Sequence, residues 1–328
     1  MYKNKFVIIL LLIAIVSCNN QHSITQDKII NSSSWMEEIY KYNPEITLNK
    51  IIIPGTTNSS SINIKTESIQ TEDAPITIKL QPRNIIKAWS VTQEENITQQ
   101  LNNGVRFLSF KVDKQEASFF AVNNVFIENI KKSLTEISSF SDKYSKEVVI
   151  LRLICSKELQ YNDFINIKDT VHEVLKEKVI FNPKYYNNIK IGDLWNNNTP
   201  IVCFIDSCPE TSKYFNHFQY NLCTILDNCS EYSFLQDCDI KSNKINAGYM
   251  CVTPKEVEIH NSTFKAPHSL FEMSKNNTKT KYLFKYIFEY TNHKYLPSIF
   301  AVDYYSHSDL IEETIAFNYF RSKNGIRI

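Results

Sequence analysis

Apolar positions along the chain change period repeatedly, and the changes mark out its elements. Trp35, Met36, Ile39 and Tyr40 recur at helical spacing behind Ser34, a candidate cap, with Glu37 and Glu38 in the favoured first turn. The β-branched run Ile51-Ile52-Ile53 then meets Pro54-Gly55 and the small polar residues Thr56-Thr57-Asn58-Ser59, which predicts a buried strand ending in a tight polar loop. Residues 56–75 read as loop, and Ile76 to Leu80 alternate like a short strand or hairpin arm. A helical pattern from Ile97 to Leu101 stops at Asn102-Asn103-Gly104, and a strand is predicted over Val105 to Val112. Phe119 to Val122 predicts another strand, and Ile127, Ile130, Leu134, Ile137 and Phe140 a helix. Strands follow at 146–151 and 200–206, with a helix at 164–179 between them. The C-terminal part predicts strands at 247–252 and 298–304 and helices at 282–290 and 309–320. Strands that alternate with helices predict parallel β/α units.

In an α/β protein the polar loops at the C-terminal ends of strands are where ligands sit, which draws attention to Thr57 and its neighbours. Composition alters this picture little. With 328 residues, 43% hydrophobic, 22% charged and a net charge of +1, the chain fits an ordinary globular protein without a nucleic-acid footprint.

The first residues add a topological expectation. Lys3 and Lys5 precede the apolar run Phe6 to Val16, then Ser17-Cys18 and the polar Asn19-Asn20-Gln21. The run is short for a membrane span and has the flanks of a signal peptide over 1–18, with a retained anchor as the alternative. Ile15-Val16-Ser17-Cys18 also resembles a bacterial lipobox, which would lipidate Cys18. Either version predicts a secreted or cell-surface protein, with a flexible leader at 19–34 and the main domain at 35–328. Cys203, Cys208, Cys223, Cys229, Cys238 and Cys251 cluster in one stretch, so residues 207–265 are expected to be a cysteine-rich excursion stapled by disulfides. Cys-x-x-Cys is absent and the spacings are irregular, which argues against zinc. Cys155, at the end of an apolar run, is expected to be a free core thiol. Seven N-x-S/T sequons, among them Asn31, Asn58 and Asn96, leave room for a glycoprotein.

Ile53-Pro54-Gly55-Thr56-Thr57-Asn58-Ser59 resembles the Ile-Pro-Gly-Thr-His-Asp-Ser signature that opens the X domain of the phosphatidylinositol-specific phospholipase C family. The block Trp89-Ser90-Val91-Thr92-Gln93, with Ile97, Gln100, Leu101, Gly104, Val105, Arg106, Phe107, Leu108, Ser109, Phe110 and Lys111, resembles the family's next conserved pattern. Lys146 to Leu151, Asp193-Leu194-Trp195 and the segment ending in Asp303 resemble later family segments. The resemblance implies a distorted TIM (β/α) barrel of the PLC-like phosphodiesterase type.

The same resemblance implies a reaction whose groups are missing. Family members cleave a phosphoinositide with one histidine as base and another as acid, helped by an arginine or calcium. Thr57 stands where the first histidine is expected, Asn58 replaces an aspartate, Ser109 a carboxylate, and Asn123-Asn124 align with the pair that carries the second histidine. A threonine hydroxyl does not ionise near neutral pH, and an amide is no acid. Lys111 keeps a positive charge at the arginine position, as a point charge without the bidentate fork. Ser109 and Lys111 remove carboxylates that a calcium site would need, so no cofactor is expected. Asp303 matches a family carboxylate, and His307 just beyond it is a possible substitute acid or base. Two readings follow. In the first the chain is a pseudoenzyme that binds a phosphoinositide or glycosylphosphatidylinositol headgroup at a membrane surface, or an extracellular protein. The alternative is an active phosphodiesterase with relocated acid and base groups.

Overall fold

The computed structural model of the chain describes residues 30–183, 188–206, 218–222, 245–250, 269–272 and 298–325, with the backbone alone for 218–222 and 245–250. The chain divides into two units, Met1–Asn31 and Ser32–Ile328, and every element below belongs to the second. In order these are helix α1 (Trp35–Tyr42), strand β1 (Ile53–Thr56), helices α2 (Ile76–Lys79), α3 (Arg83–Ser90) and α4 (Ile97–Asn102), and strands β2 (Phe107–Gln115), β3 (Ser118–Asn123) and β4 (Val125–Asn129). Then come α5 (Ile130–Lys143), β5 (Val149–Cys155), α6 (Tyr161–Leu175), β6 (Val179–Phe181), α7 (Ile191–Asn196), β7 (Ile201–Asp206), β8 (Phe218–Leu222), β9 (Ile245–Met250), β10 (Ile299–Val302) and α8 (Leu310–Lys323).

The sheet runs β6-β7-β5-β2-β1-β10-β9-β8, and every pairing along that path is parallel. β3 and β4 extend β2 as antiparallel strands, so the sheet is mixed. Among the described residues β6 and β8 do not pair, and the path is open. β6 lies beyond β7, out of chain order. The parallel strands are buried runs such as Ile53–Thr56 and Ile201–Asp206, as both-face burial requires. Gly55 lets β1 and β2 approach, since a Cβ there would lie 2.7 Å from the Phe107 Cβ.

An internal clamp ties the N-terminal segment to this sheet. Arg106, fully buried, pairs with Glu147 at 2.7 Å and donates to the carbonyls of Leu101, Val105, Ser32 and Ser33. Glu147 in turn accepts from the Met36 and Glu37 N–H groups at the start of α1. Burial draws the Arg106 guanidinium down and the Glu147 carboxyl up from their usual values, and their contact opposes both shifts.

Several sequence expectations need correction. Ser32–Ser34 are not leader: they form a 3-10 turn, and the Ser32 and Ser33 hydroxyls donate to the Asn102 carbonyl at 2.9 Å. Ile76 to Leu80 is helical, because Pro75 presets a helical entry and its carbonyl accepts the Lys79 N–H at 2.9 Å. Trp89 and Ser90 end a helix, and Ile127 belongs to β4 rather than to the helix that starts at Ile130. The stretch 207–265 is not simply an excursion, since it contributes β8 and β9 to the main sheet. Cys203 is no disulfide partner: it is a free, buried thiol on β7, and burial pushes its pKa up. Cys155 is a free buried thiol, as expected. Cys208, Cys223, Cys229, Cys238, Cys251 and the helix expected at 282–290 lie outside the described residues.

Candidate active site

The C-terminal ends of β10, β1, β2, β5 and β7 stand side by side, so their last residues and following loops share one mouth. Thr57 and Asp303 follow paired positions, since Thr56 is in register with Val302. The Thr57 hydroxyl donates to the Asp303 carboxylate, and both residues are buried.

The loop from Thr56 to Ser61 is held by side chains from elsewhere in the sequence. Gln93 donates from Nε2 to the carbonyls of Thr57 (3.1 Å) and Val302 (3.0 Å). The Thr92 hydroxyl reaches the Asn58 carbonyl at 3.2 Å, and the Gln100 amide donates to the Ser59 carbonyl at 2.8 Å. Thr56 donates to Gln100 Oε1 at 2.7 Å. The Ser59 N–H donates to the Ser109 carbonyl, and the Ser109 N–H to the Ser59 hydroxyl at 2.9 Å. Asn58 takes a left-handed φ of 41°, which asparagine tolerates better than most residues. The block around Trp89 thus acts as a brace: it holds the backbone that presents Thr57.

Each residue singled out in the sequence has a definite place. Ser109 is buried on β2 and spends its backbone on Ser59. Asn123 is buried at the end of β3, donating to the Ser90 carbonyl at 2.6 Å, and Asn124 donates to the Ser90 hydroxyl at 3.2 Å. Both amides therefore anchor the loop scaffold. Lys111 is exposed on β2, two residues beyond Ser109 and in register with Ile154 of β5. Among the described residues it has no acidic partner. His307 lies in a 3-10 turn beyond Asp303, with Nε2 2.6 Å from Glu94 and its ring 5.1 Å from that of Phe271. These contacts engage His307 at the rim, and none of them is with Thr57 or Asp303.

Two groups at the mouth were not singled out. Arg152 on β5 is buried and donates from Nε to Asp206 at the end of β7, at 2.7 Å. Ser109 and Arg152 are in register, so the guanidinium shares a level with the β2 end of the site. A lone cation inside the apolar run Val148 to Ile154 was the signal available in the sequence. Asp113, two residues past Lys111, is buried, and burial raises its carboxyl above the usual range. Among the described residues no group of three or more His, Cys, Asp or Glu side chains gathers into a metal site.

Among the described residues, the mouth gathers charged and hydrogen-bonding groups rather than imidazoles. Thr57 is a donor locked onto a carboxylate, Lys111 supplies positive charge, and the charge of Arg152 is balanced by Asp206. Such an arrangement can bind and orient a phosphate group, and among the described residues no two imidazoles stand together to pass protons.

Comparison with known proteins agrees with the fold. Solved phosphatidylinositol-specific phospholipases C superpose on the chain with low identity. The Staphylococcus aureus protein covers 88% of this chain and 97% of its own at a TM-score of 0.58 and 13% identity. The Listeria monocytogenes protein gives 89% and 99% at 0.54 and 15%. Human PI-PLC X domain-containing protein 2 is 24% identical over 216 residues, 61% of this chain and 68% of that protein. PI-PLC X domain-containing protein 1 of Danio rerio is 29% identical over 131 residues, 36% of this chain and 42% of that protein. The chain thus spans about two thirds of one relative and less than half of the other. The PI-PLC X 1 family model matches residues 85–318, which takes in the brace, Ser109, Lys111, Asn123 and Asp303 but begins after Thr57. With most of its length inside that match, the chain belongs to the PI-PLC X domain family.

Proposed function

We propose that this chain is an exported PI-PLC X-domain protein that holds a phosphate-bearing headgroup at the mouth of its sheet without cleaving it. One observation carries the reading. Thr57, which cannot accept a proton near neutral pH, occupies the place the family resemblance gives to the first histidine and is bonded to Asp303. Loss of one proton-transfer group typically lowers a rate by about 10²- to 10⁴-fold, and Asn123 removes the second. Lys111 is the group that contacts the phosphate, as an exposed cation without a competing acid among the described residues. The Arg152–Asp206 pair lines the adjoining wall and fixes the headgroup's orientation. The matched relatives are X-domain-containing proteins, and the superposed bacterial ones are phospholipases C, which supports a phosphoinositide-type headgroup as the ligand class. Export rests on the basic and apolar residues of 3–18.

The test is twofold. Purified protein is incubated with phosphatidylinositol vesicles and released inositol phosphate is measured. No release above a protein-free control is expected, and release abolished by His307→Ala would overturn the inactive reading. Binding of the same vesicles is then compared for the parent and Lys111→Ala at low and physiological salt. Weaker, less salt-sensitive binding by the variant is expected. Equal binding would remove the phosphate role from Lys111.

A further inference from the structure

A second cation is buried at the other end of β1. A cavity of about 450 Å³ opens between the segment after α1 and the last turns of α8, lined by Lys50, Thr47, Arg321 and Ser322 among others. Arg321 is only 7% exposed. Its Nε has no hydrogen-bond partner, and Nη1 meets the Lys50 carbonyl at a long 3.4 Å. The other buried arginines among the described residues differ: Arg106 has Glu147, and Arg152 has Asp206. No carboxylate among the described residues pairs with Arg321. Glu45 also lines the cavity, but Lys190 engages its carboxylate at 2.5 Å. The Asn318 side chain is used up by the backbone of Ile52, through bonds of 3.0 and 2.7 Å.

Two features offset part of the charge. The Phe317 ring lies 5.4 Å from the guanidinium carbon, and the last turn of α8 presents the negative end of its dipole. Neither supplies an acceptor for the Nε–H. A buried guanidinium with an unpaired N–H is unfavourable, and its fork can grip a phosphate or a carboxylate through two bonds. Lys50 adds a second positive charge at the cavity wall, which favours a dianion over a carboxylate.

We propose that this cavity is an anion site, separate from the mouth, that binds the phosphate group of a free ion or a small phosphomonoester through Arg321 with Lys50 in support.

The full chain is titrated with sodium phosphate and with glycerol 3-phosphate at constant ionic strength, by calorimetry and by melting temperature. The parent, Arg321→Met and Lys111→Ala are compared. Phosphate is expected to bind the parent and raise its melting temperature. Arg321→Met is expected to lose at least tenfold in affinity, and Lys111→Ala to keep this response. In phosphate-free buffer Arg321→Met should melt no lower than the parent, because it removes an uncompensated charge. Tighter binding of glycerol 3-phosphate than of phosphate assigns the ester, and equal or weaker binding the free ion; either supports the site. No response in the parent, an unchanged response in Arg321→Met, or a loss confined to Lys111→Ala would overturn it. Should Arg321→Met not fold, Arg321→Lys keeps a charge without the fork. Weaker phosphate binding by that variant supports the site, and unchanged binding overturns it.

Discussion

Thr57 at the end of β1 donates its hydroxyl to Asp303 at the end of β10, and this bond closes the seam between the two strands at the mouth. The carboxylate is buried, so its donors matter. Thr57→Val keeps the shape and deletes the donor, and it is expected to lower stability by about 1–3 kcal/mol, since it leaves a buried acceptor short of a partner. Asp303→Asn combined with Thr57→Val should cost less than the sum of the two single changes. Urea unfolding of the four proteins measures the coupling, and strict additivity would show that the bond contributes little.

Gln93 bridges the same two loops through the carbonyls of Thr57 and Val302. Gln93→Ala removes both donors, with an expected loss of about 1–3 kcal/mol and faster amide exchange in the loop after β1. Hydrogen exchange read by mass spectrometry over residues 56–61 checks the second part. Unchanged protection there would mean that Gln100 and Ser109 suffice to hold the loop.

The clamp of Arg106 on Glu147 yields a sharper contrast. Arg106→Met strands a buried carboxylate and is expected to cost about 3–5 kcal/mol. Adding Glu147→Gln to it should recover part of that loss, because the charge that had lost its partner is gone. Denaturant midpoints decide it, and a double variant no more stable than Arg106→Met would count against the charge argument.

Asp113 makes a pH prediction. Burial, the largest effect, raises its carboxyl in the folded state, with the Lys114 N–H opposing. The folded protein therefore holds this proton more tightly than the unfolded chain. Its contribution is fully present below the unfolded value of about 3.9 and is lost as pH rises through the higher folded value. Asp113→Asn should thus gain on the parent as pH rises from acid toward neutral and hold that gain above. Unfolding free energies of both proteins across that range test the sign, and a variant that loses ground with rising pH would contradict it.

Much of the central sheet could be read in advance from local pattern. Ile51–Ile53, Val105 to Val112 apart from Lys111, and Pro200 to Asp206 are buried by their neighbours, so apolar-rich runs announced them. Ile76 to Leu80 misled because so few alternating residues fit a strand and a helical turn alike; Pro75 and one buried face, Ile78, settled it. β8 was not legible in a stretch dominated by cysteines, whereas β9 was expected at 247–252, and Cys203 was grouped with those cysteines although it lies on a core strand. At the mouth, Thr57, Asn58, Ser109, Lys111, Asn123 and Asp303 were legible through family resemblance, because the residues that shape the loop were retained around them.

By itself the amino-acid order determined the family and which residue types stand at the motif positions, since both are matters of residue type at a given place in a run. The partners of charges were decided only by the folded chain. Arg152 meets Asp206 and Arg106 meets Glu147, while Arg321 meets no acid among the described residues, across separations that no local pattern encodes. A buried charge is defined by what the sheet and helices bring to it, so its satisfaction or lack of it exists only in three dimensions.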